Sequence, residues 1–161
     1  IERPSNLRLA EMLSVAMTEH VPEEYGDIVA AGMGYDLEPT AGTAIAADGS
    51  CLGGAIAPGI AVSTEALFRH ASKLPRVEVA RPRQVIGRTT VDSLQSGIFY
   101  GYVGVVEQLV GRMRAEMAEP VRVLATGGLS ELIAGATDAI DEVVPLLTLE
   151  GLRIIYELNE T

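Results

Sequence analysis

Leu52-Gly53-Gly54-Ala55-Ile56-Ala57-Pro58-Gly59-Ile60 decides how this chain is read. Two glycines and a Pro-Gly turn bracket a short apolar run. The pattern fits a buried strand that passes close to another backbone and then turns sharply into a helix. Just upstream, Asp48-Gly49 separates residues 43–47 from 51–57, and Asp-Gly favours the positive φ angles of a tight hairpin turn. Just downstream, Leu67, Phe68, Ala71 and Leu74 place one apolar face on a helix over 63–74, which Pro75 ends.

Further along, Val91, Leu94, Ile98, Val105, Leu109 and Met113 keep a helical period across 89–117. Gly97, Gly101, Gly104 and Gly111 interrupt that helix. Each costs roughly 1 kcal/mol against alanine in a helix interior, so something packs close to this backbone. Two candidates remain open: the domain's own sheet, and a partner helix across a dimer interface. A buried-type strand over 121–125 lies between Pro120 and Gly127-Gly128, followed by a helix over 130–134 and a short strand over 141–145. Thr148 caps a last helix whose buried stripe is Leu149, Leu152, Ile155 and Tyr156. Upstream, Leu9, Leu13, Ala16 and Met17 predict a helix over 1–18, and 27–31 reads as a short strand. Residues 32–39 carry no regular pattern.

Composition narrows the class. The chain has 161 residues, enough for one domain with a real core. Hydrophobic residues make up 48%, charged residues 21% and aromatics only 4%, with 17 glycines and no Trp. An aliphatic core with strands alternating with helices predicts an α/β fold. The net charge of −10 repels phosphate backbones, which argues against nucleic-acid binding. It leaves room for ATP, because local N–H groups or Mg²⁺ can outweigh the overall field. The one cysteine, Cys51, excludes an internal disulfide and a multi-cysteine metal site. His20 and His70 are too far apart for metal or triad spacing. No apolar run is long enough to span a bilayer and no signal peptide is visible, so a soluble cytoplasmic protein is expected.

Taken with Gly87-Arg88-Thr89-Thr90 and Ala125-Thr126-Gly127-Gly128, the opening stretch resembles the second half of type III pantothenate kinases. The resemblance runs from residue 42 to 161 of a single domain; residues 1–41 diverge. It implies one lobe of the actin-like, sugar-kinase-like fold, a ribonuclease-H-like mixed sheet flanked by helices. In such open sheets ligands sit at the carboxyl ends of the strands. The implied reaction moves the γ-phosphoryl group of ATP to the primary hydroxyl of pantothenate, which begins coenzyme A synthesis. Thr126, Gly127 and Gly128 correspond to the segment lining the adenosine pocket; on residues alone they are equally a tight strand-to-helix turn. Thr90 corresponds to a pantothenate-binding threonine, and on residues alone Thr89-Thr90 is a helix-capping pair. Gly42 and Thr43 match part of a phosphate motif. Gly53, Gly54, Pro58 and Gly59 match an interface motif, with an internal turn as the alternative reading. With Gly97 and Gly101 on the long helix, they imply a homodimer. Mg²⁺ and a monovalent cation (K⁺ or NH₄⁺) are implied as well, with Asp36 the candidate metal carboxylate.

The chain departs from the family at several points. The Asp-x-Gly-Asn-Thr hairpin that cradles ATP phosphates has no counterpart, and the first lobe is expected to be missing. The motif Asp-x-Gly-Thr-Ala survives only as Gly42-Thr43-Ala44, with Asp36 displaced from it. Leu7 stands where the family carries its general-base aspartate, and leucine accepts no proton. The catalytic residue is therefore unassigned, and little or no turnover is expected from this chain alone. Two other readings stay open: a truncated or engineered scaffold that dimerises without turnover, and a stand-alone nucleotide-binding module built on residues 125–128.

Overall fold

The computed structural model describes residues 27–32, 40–71, 74–117 and 120–159. The expected helix over 1–18, Leu7, His20, Asp36 and most of 32–39 lie outside the described residues.

Three strands form an antiparallel meander: β1 (Asp27–Gly32), β2 (Thr40–Ile45) and β3 (Cys51–Ala57). The turn between β2 and β3 is tightened where sequence pointed. Gly49 sits at φ 82°, and Asp48 accepts from the Ser50 hydroxyl at 2.6 Å and from its N–H at 2.9 Å. These bonds hold the Asp48 carboxyl below the usual carboxylate range. Helix α1 (Ile60–His70) and the long helix α2 (Thr90–Glu116) follow, then β4 (Val121–Thr126), the short α3 (Ser130–Ala134), β5 (Glu142–Val143) and α4 (Leu147–Asn159). The strands order as β3-β2-β1-β4-β5, with β4 parallel to both β1 and β5. A three-stranded antiparallel meander continued by parallel strands is the ribonuclease-H-like sheet that was expected.

The core lies where α2 crosses the sheet. Phe99, Tyr102, Val103, Val106 and Val110 from α2 pack with Val123, Ala125, Leu129, Ile133 and Ile60. Arg114 near the end of α2 donates to Asp141 at 2.7 Å, and the same carboxylate accepts from the Val123 N–H at 2.7 Å. One side chain thus ties helix, β4 and the approach to β5 together.

Several helix faces differ from the sequence expectation. On α2 the buried residues are Ser96, Phe99, Tyr102, Val103, Val106 and Val110. The expected stripe lies beside them and stays half-exposed, with Val91 at 42% and Val105 at 37%. This helix is apolar around most of its circumference, so periodicity alone does not choose the face. Helix α1 starts at Ile60 and ends at His70, and it buries Ile60 and Thr64 rather than Leu67. On α4, Leu147 and Ile154 are buried while Leu149, Leu152 and Tyr156 are exposed; Thr148 lies inside the helix rather than capping it. Strand β3 is an edge strand with most residues exposed, not a buried one. Small residues gave it an apolar composition without a buried position. Gly54 nonetheless meets the close approach read from sequence, for a Cβ there would lie 2.2 Å from the Gly42 carbonyl oxygen on β2.

Tyr102 yields a pH test. It is 6% exposed, and its hydroxyl is buried without a well-formed hydrogen-bond partner. Burial disfavours the phenolate and pushes the pKa from 10.0 up to about 12. The unfolded chain loses this proton first as pH rises. Stability is therefore unaffected below pH 10 and falls between 10 and about 12, by up to about 2 kcal/mol. Tyr102→Phe is expected to flatten urea-unfolding stability across that window, and to cost little at pH 7 because the hydroxyl it removes makes only a poorly formed contact with the Ile60 backbone.

Candidate functional site

The direction of α2 fixes what lies near what. Its last turns, with Met113, Glu116 and Met117, lie beside Leu52, Gly53 and Gly54 near the start of β3. Its middle, at Tyr102, meets Ile60 just past the end of β3. The helix therefore runs antiparallel to β3, and so to β1 and β4. At about 1.5 Å per residue, Thr90 projects well past the carboxyl ends of the strands. Gly127 follows the last residue of β4 at that same end. The Thr126 turn and Thr90 share one end of the molecule.

Gly127 has φ 100°, a conformation that strains any residue with a side chain. Ser130, 1% exposed, donates its hydroxyl to the Gly127 carbonyl at 2.6 Å, and its N–H reaches the same oxygen at 3.1 Å. The Val144 N–H donates to the Ala125 carbonyl at 2.8 Å, which fixes β5 alongside. Thr126 is buried, with its hydroxyl 3.5 Å from the Pro145 carbonyl. Gly127 is half-buried and Gly128 is exposed, so their backbone is what the turn offers to a ligand. The following helix has five residues and an uncapped start at Leu129. So short a helix carries little macrodipole, and the anion-attracting field expected from sequence is weak here.

Thr90 is the first residue of α2 and is exposed. The capping role belongs to Thr89, whose side chain accepts from the Asp92 N–H at 3.1 Å while Asp92 accepts from the Thr89 N–H at 3.2 Å. This reciprocal capping box leaves the Thr90 hydroxyl unused by the cap. Gly87 lies against the first turn, and a Cβ there would sit 2.3 Å from the Ser93 nitrogen.

The remaining sequence candidates are not gathered here. Gly42 and Thr43 lie within β2, opposite Ala31 and Ala30 of β1. A Cβ on Gly42 would lie 3.2 Å from Met113, so that glycine accommodates the end of α2, and Thr43 is buried. Gly53 has φ 126° with open space around its missing side chain. Pro58 and Gly59 link β3 to α1, and Gly59 is the N-cap residue of that helix. A Cβ placed on Gly97, Gly101, Gly104 or Gly111 would meet nothing within 4 Å among the described residues, so packing against the sheet does not explain these glycines. Gly97 and Gly101 line a groove of about 330 Å³ between α1 and α2. Among the described residues no three His, Cys, Asp or Glu side chains converge. No helix among them is long and apolar enough to cross a membrane. Ser130 escaped the sequence reading although its spacing, three residues after Gly127, is that of a local side-chain turn.

Comparison with known proteins fits this geometry. A family model described as type III pantothenate kinase matches residues 39–112. The chain is 52% identical over 151 residues to the type III pantothenate kinase of Geobacter sulfurreducens, covering 86% of this chain and 59% of that protein. It is 58% identical over 117 residues to that of Roseiflexus sp., covering 73% of this chain and 46% of the relative. The chain thus spans about half the length of the curated relatives it matches. Among solved structures, the archaeal actin homolog Ta0583 superposes with a TM-score of 0.58 at 15% identity, covering 98% of this chain and 55% of the other. A conserved putative Baf family transcriptional activator from Campylobacter jejuni gives 0.55 at 23% identity, covering 91% and 63%. These two likenesses establish the actin-like fold.

Proposed function

Because the chain belongs to the type III pantothenate kinase family and spans about half of it, we propose that it supplies the lobe on which that enzyme holds adenosine and pantothenate. The reaction is transfer of the ATP γ-phosphoryl group to the primary hydroxyl of pantothenate, in the cytoplasm. One observation carries the reading: the Gly127 turn lies at the carboxyl end of the sheet, where open α/β sheets bind ligands, and the free Thr90 hydroxyl lies beyond that same end. The backbone of Gly127 and Gly128 lets an adenine or ribose lie close, and the Thr90 hydroxyl bonds a polar group of pantothenate. Phosphoryl transfer depends on positioning and on charge neutralisation at the phosphates. Bound Mg²⁺ supplies that neutralisation in kinases. No cluster of three ligating side chains lies among the described residues, and Mg²⁺ would reach the site chiefly through the ATP phosphates.

Pantothenate-dependent ADP release, followed in a coupled assay with ATP, Mg²⁺ and K⁺ or NH₄⁺, tests the reading. Release is expected to be slow and to fall about three- to tenfold in Thr90→Val, the loss expected when a neutral hydrogen bond to substrate disappears. Release that Thr90→Val leaves unchanged would remove Thr90 from the site. ATP binding without any turnover would favour a nucleotide-binding module, and neither signal would leave a scaffold.

The protein is further proposed to act as a homodimer through α2. Its open glycines and half-exposed apolar stripe face space that the described residues do not fill. Gly97→Ala separates the two effects. As an isolated helix substitution it should stabilise the fold by about 1 kcal/mol. As an added methyl on a close-packed interface it should weaken self-association, read by sedimentation velocity across concentration. Unchanged association would place the dimer elsewhere.

A further inference from the structure

We propose that Ser96 is a positioning residue for Thr90: its buried hydroxyl holds the Val85 carbonyl and thereby sets the turn from which Thr89 and Thr90 enter α2. The proposal rests on the reading of Thr90 as the pantothenate contact.

A strap, residues 74–88, links α1 to α2 without regular structure. Its earlier part is held by packing, since Val79 lies against the core, and by Arg81, which donates to the Gly135 carbonyl at 2.8 Å. Its last part has no such anchorage. Val85 is 62% exposed and Ile86 is 83% exposed, so apolar burial does not fix this turn. Its grip is polar and comes from the first two turns of α2. Ser96 donates to the Val85 carbonyl in a short bond and the Ser93 hydroxyl lies 3.5 Å from the Gly87 carbonyl, while Gln95 holds the earlier part through the Glu78 carbonyl at 3.2 Å.

Of the three, Ser96 is the buried one, at 5% exposed. A serine inside a helix commonly bonds back to the carbonyl four residues earlier. Ser96 instead spends its hydroxyl on a carbonyl eleven positions away, so the bond is tertiary. It closes a loop of chain whose other closure is the Gly87 backbone pressed against Ser93. Thr90 therefore leaves the strap in one direction only while both contacts stand.

Removing the hydroxyl should free the turn and leave the core intact. Trypsin under native conditions reads this directly, because Arg83 and Arg88 flank the turn. Cleavage tracks the population of the open form, so Ser96→Ala should be cut after Arg83 and Arg88 about five- to tenfold faster than wild type. Its urea midpoint should move little. Ser96→Thr, which keeps the hydroxyl, should restore resistance. Ile86→Gly loosens the same turn without touching the core and replaces Ser96→Ala should that variant fail to fold. In calorimetric titration, Ser96→Ala should weaken pantothenate binding by a similar factor and leave ATP binding at the Gly127 turn unchanged. Unchanged cleavage would overturn the clamp whatever the ligands do. Faster cleavage with full pantothenate affinity would overturn the positioning role. Wild-type protein that takes up no pantothenate, while Ser96→Ala still frees the turn, would overturn the assignment of Thr90 and the positioning role with it.

Discussion

Gly87→Ala is expected to lift the end of the strap off α2. The added Cβ would meet the Ser93 nitrogen at 2.3 Å and the Asp92 carbonyl carbon and Ser93 Cα at 2.6 Å. These are backbone atoms of a helix turn, and no rotamer change relieves the overlap. Either the strap moves away or the first turn of α2 unwinds. The first route breaks the Ser96 grip on Val85, and the second dissolves the capping box between Thr89 and Asp92. Overpacking of this kind costs about 3 kcal/mol where the neighbours cannot yield, and loss of the cap adds roughly 1 kcal/mol. Amide exchange at 86–93 should rise by more than tenfold, and pantothenate binding should vanish before ATP binding does. Wild-type exchange at these amides would mean that Gly87 is not packed as described.

Phe99→Ala is expected to damage the fold itself. Phe99 is fully buried where α2 crosses the sheet, and its ring meets Tyr100 edge-on at 5.1 Å. Removing a buried phenyl costs about 3–5 kcal/mol through lost burial and the cavity left behind. At roughly 2–4 °C per kcal/mol for a chain of this size, the thermal midpoint should drop by about 10 °C or more. Val105→Ala, on the exposed stripe of the same helix, serves as the control and should move it little at concentrations too low for self-association. Equal losses from both would mean that the helix packs through the face read from sequence rather than through Phe99.

That contrast marks what sequence could and could not reveal. The order of elements was legible because the punctuation is local: Asp48-Gly49 sets a hairpin, the Thr89-Thr90 pair starts a helix, and Gly127 ends a strand. Each of these acts within a few residues of chain. The faces were not legible. Helix α2 carries two apolar stripes, and which one meets the sheet depends on how the helix crosses β4, a tertiary matter. The same ambiguity moved the buried side of α4 to Leu147 and Ile154.

The candidate site was legible in part. Gly127 and Thr90 were singled out by motif, and the antiparallel run of α2 brings them to one end. Ser130 and Ser96 were not, because a serine carries no pattern until its acceptor carbonyl is located, and the Val85 carbonyl became its neighbour only on folding. The glycines of α2 stood out in sequence as a cost of about 1 kcal/mol each. The fold sharpened the question by leaving all four with open space on their missing side chains. Leu7 and Asp36, the two departures that bear most on turnover, fall outside the described residues.

The central claim is that one end of this sheet presents a nucleotide turn and a pantothenate threonine together. Hydrogen exchange of the whole chain, with millimolar ATP and Mg²⁺, with millimolar pantothenate, and with neither, measures it most directly. The account expects ATP to slow exchange at 126–130 and pantothenate to slow it at 88–92, each separately and by at least about threefold. Protection by ATP elsewhere in the chain, or no protection by either ligand at these two segments, would contradict it.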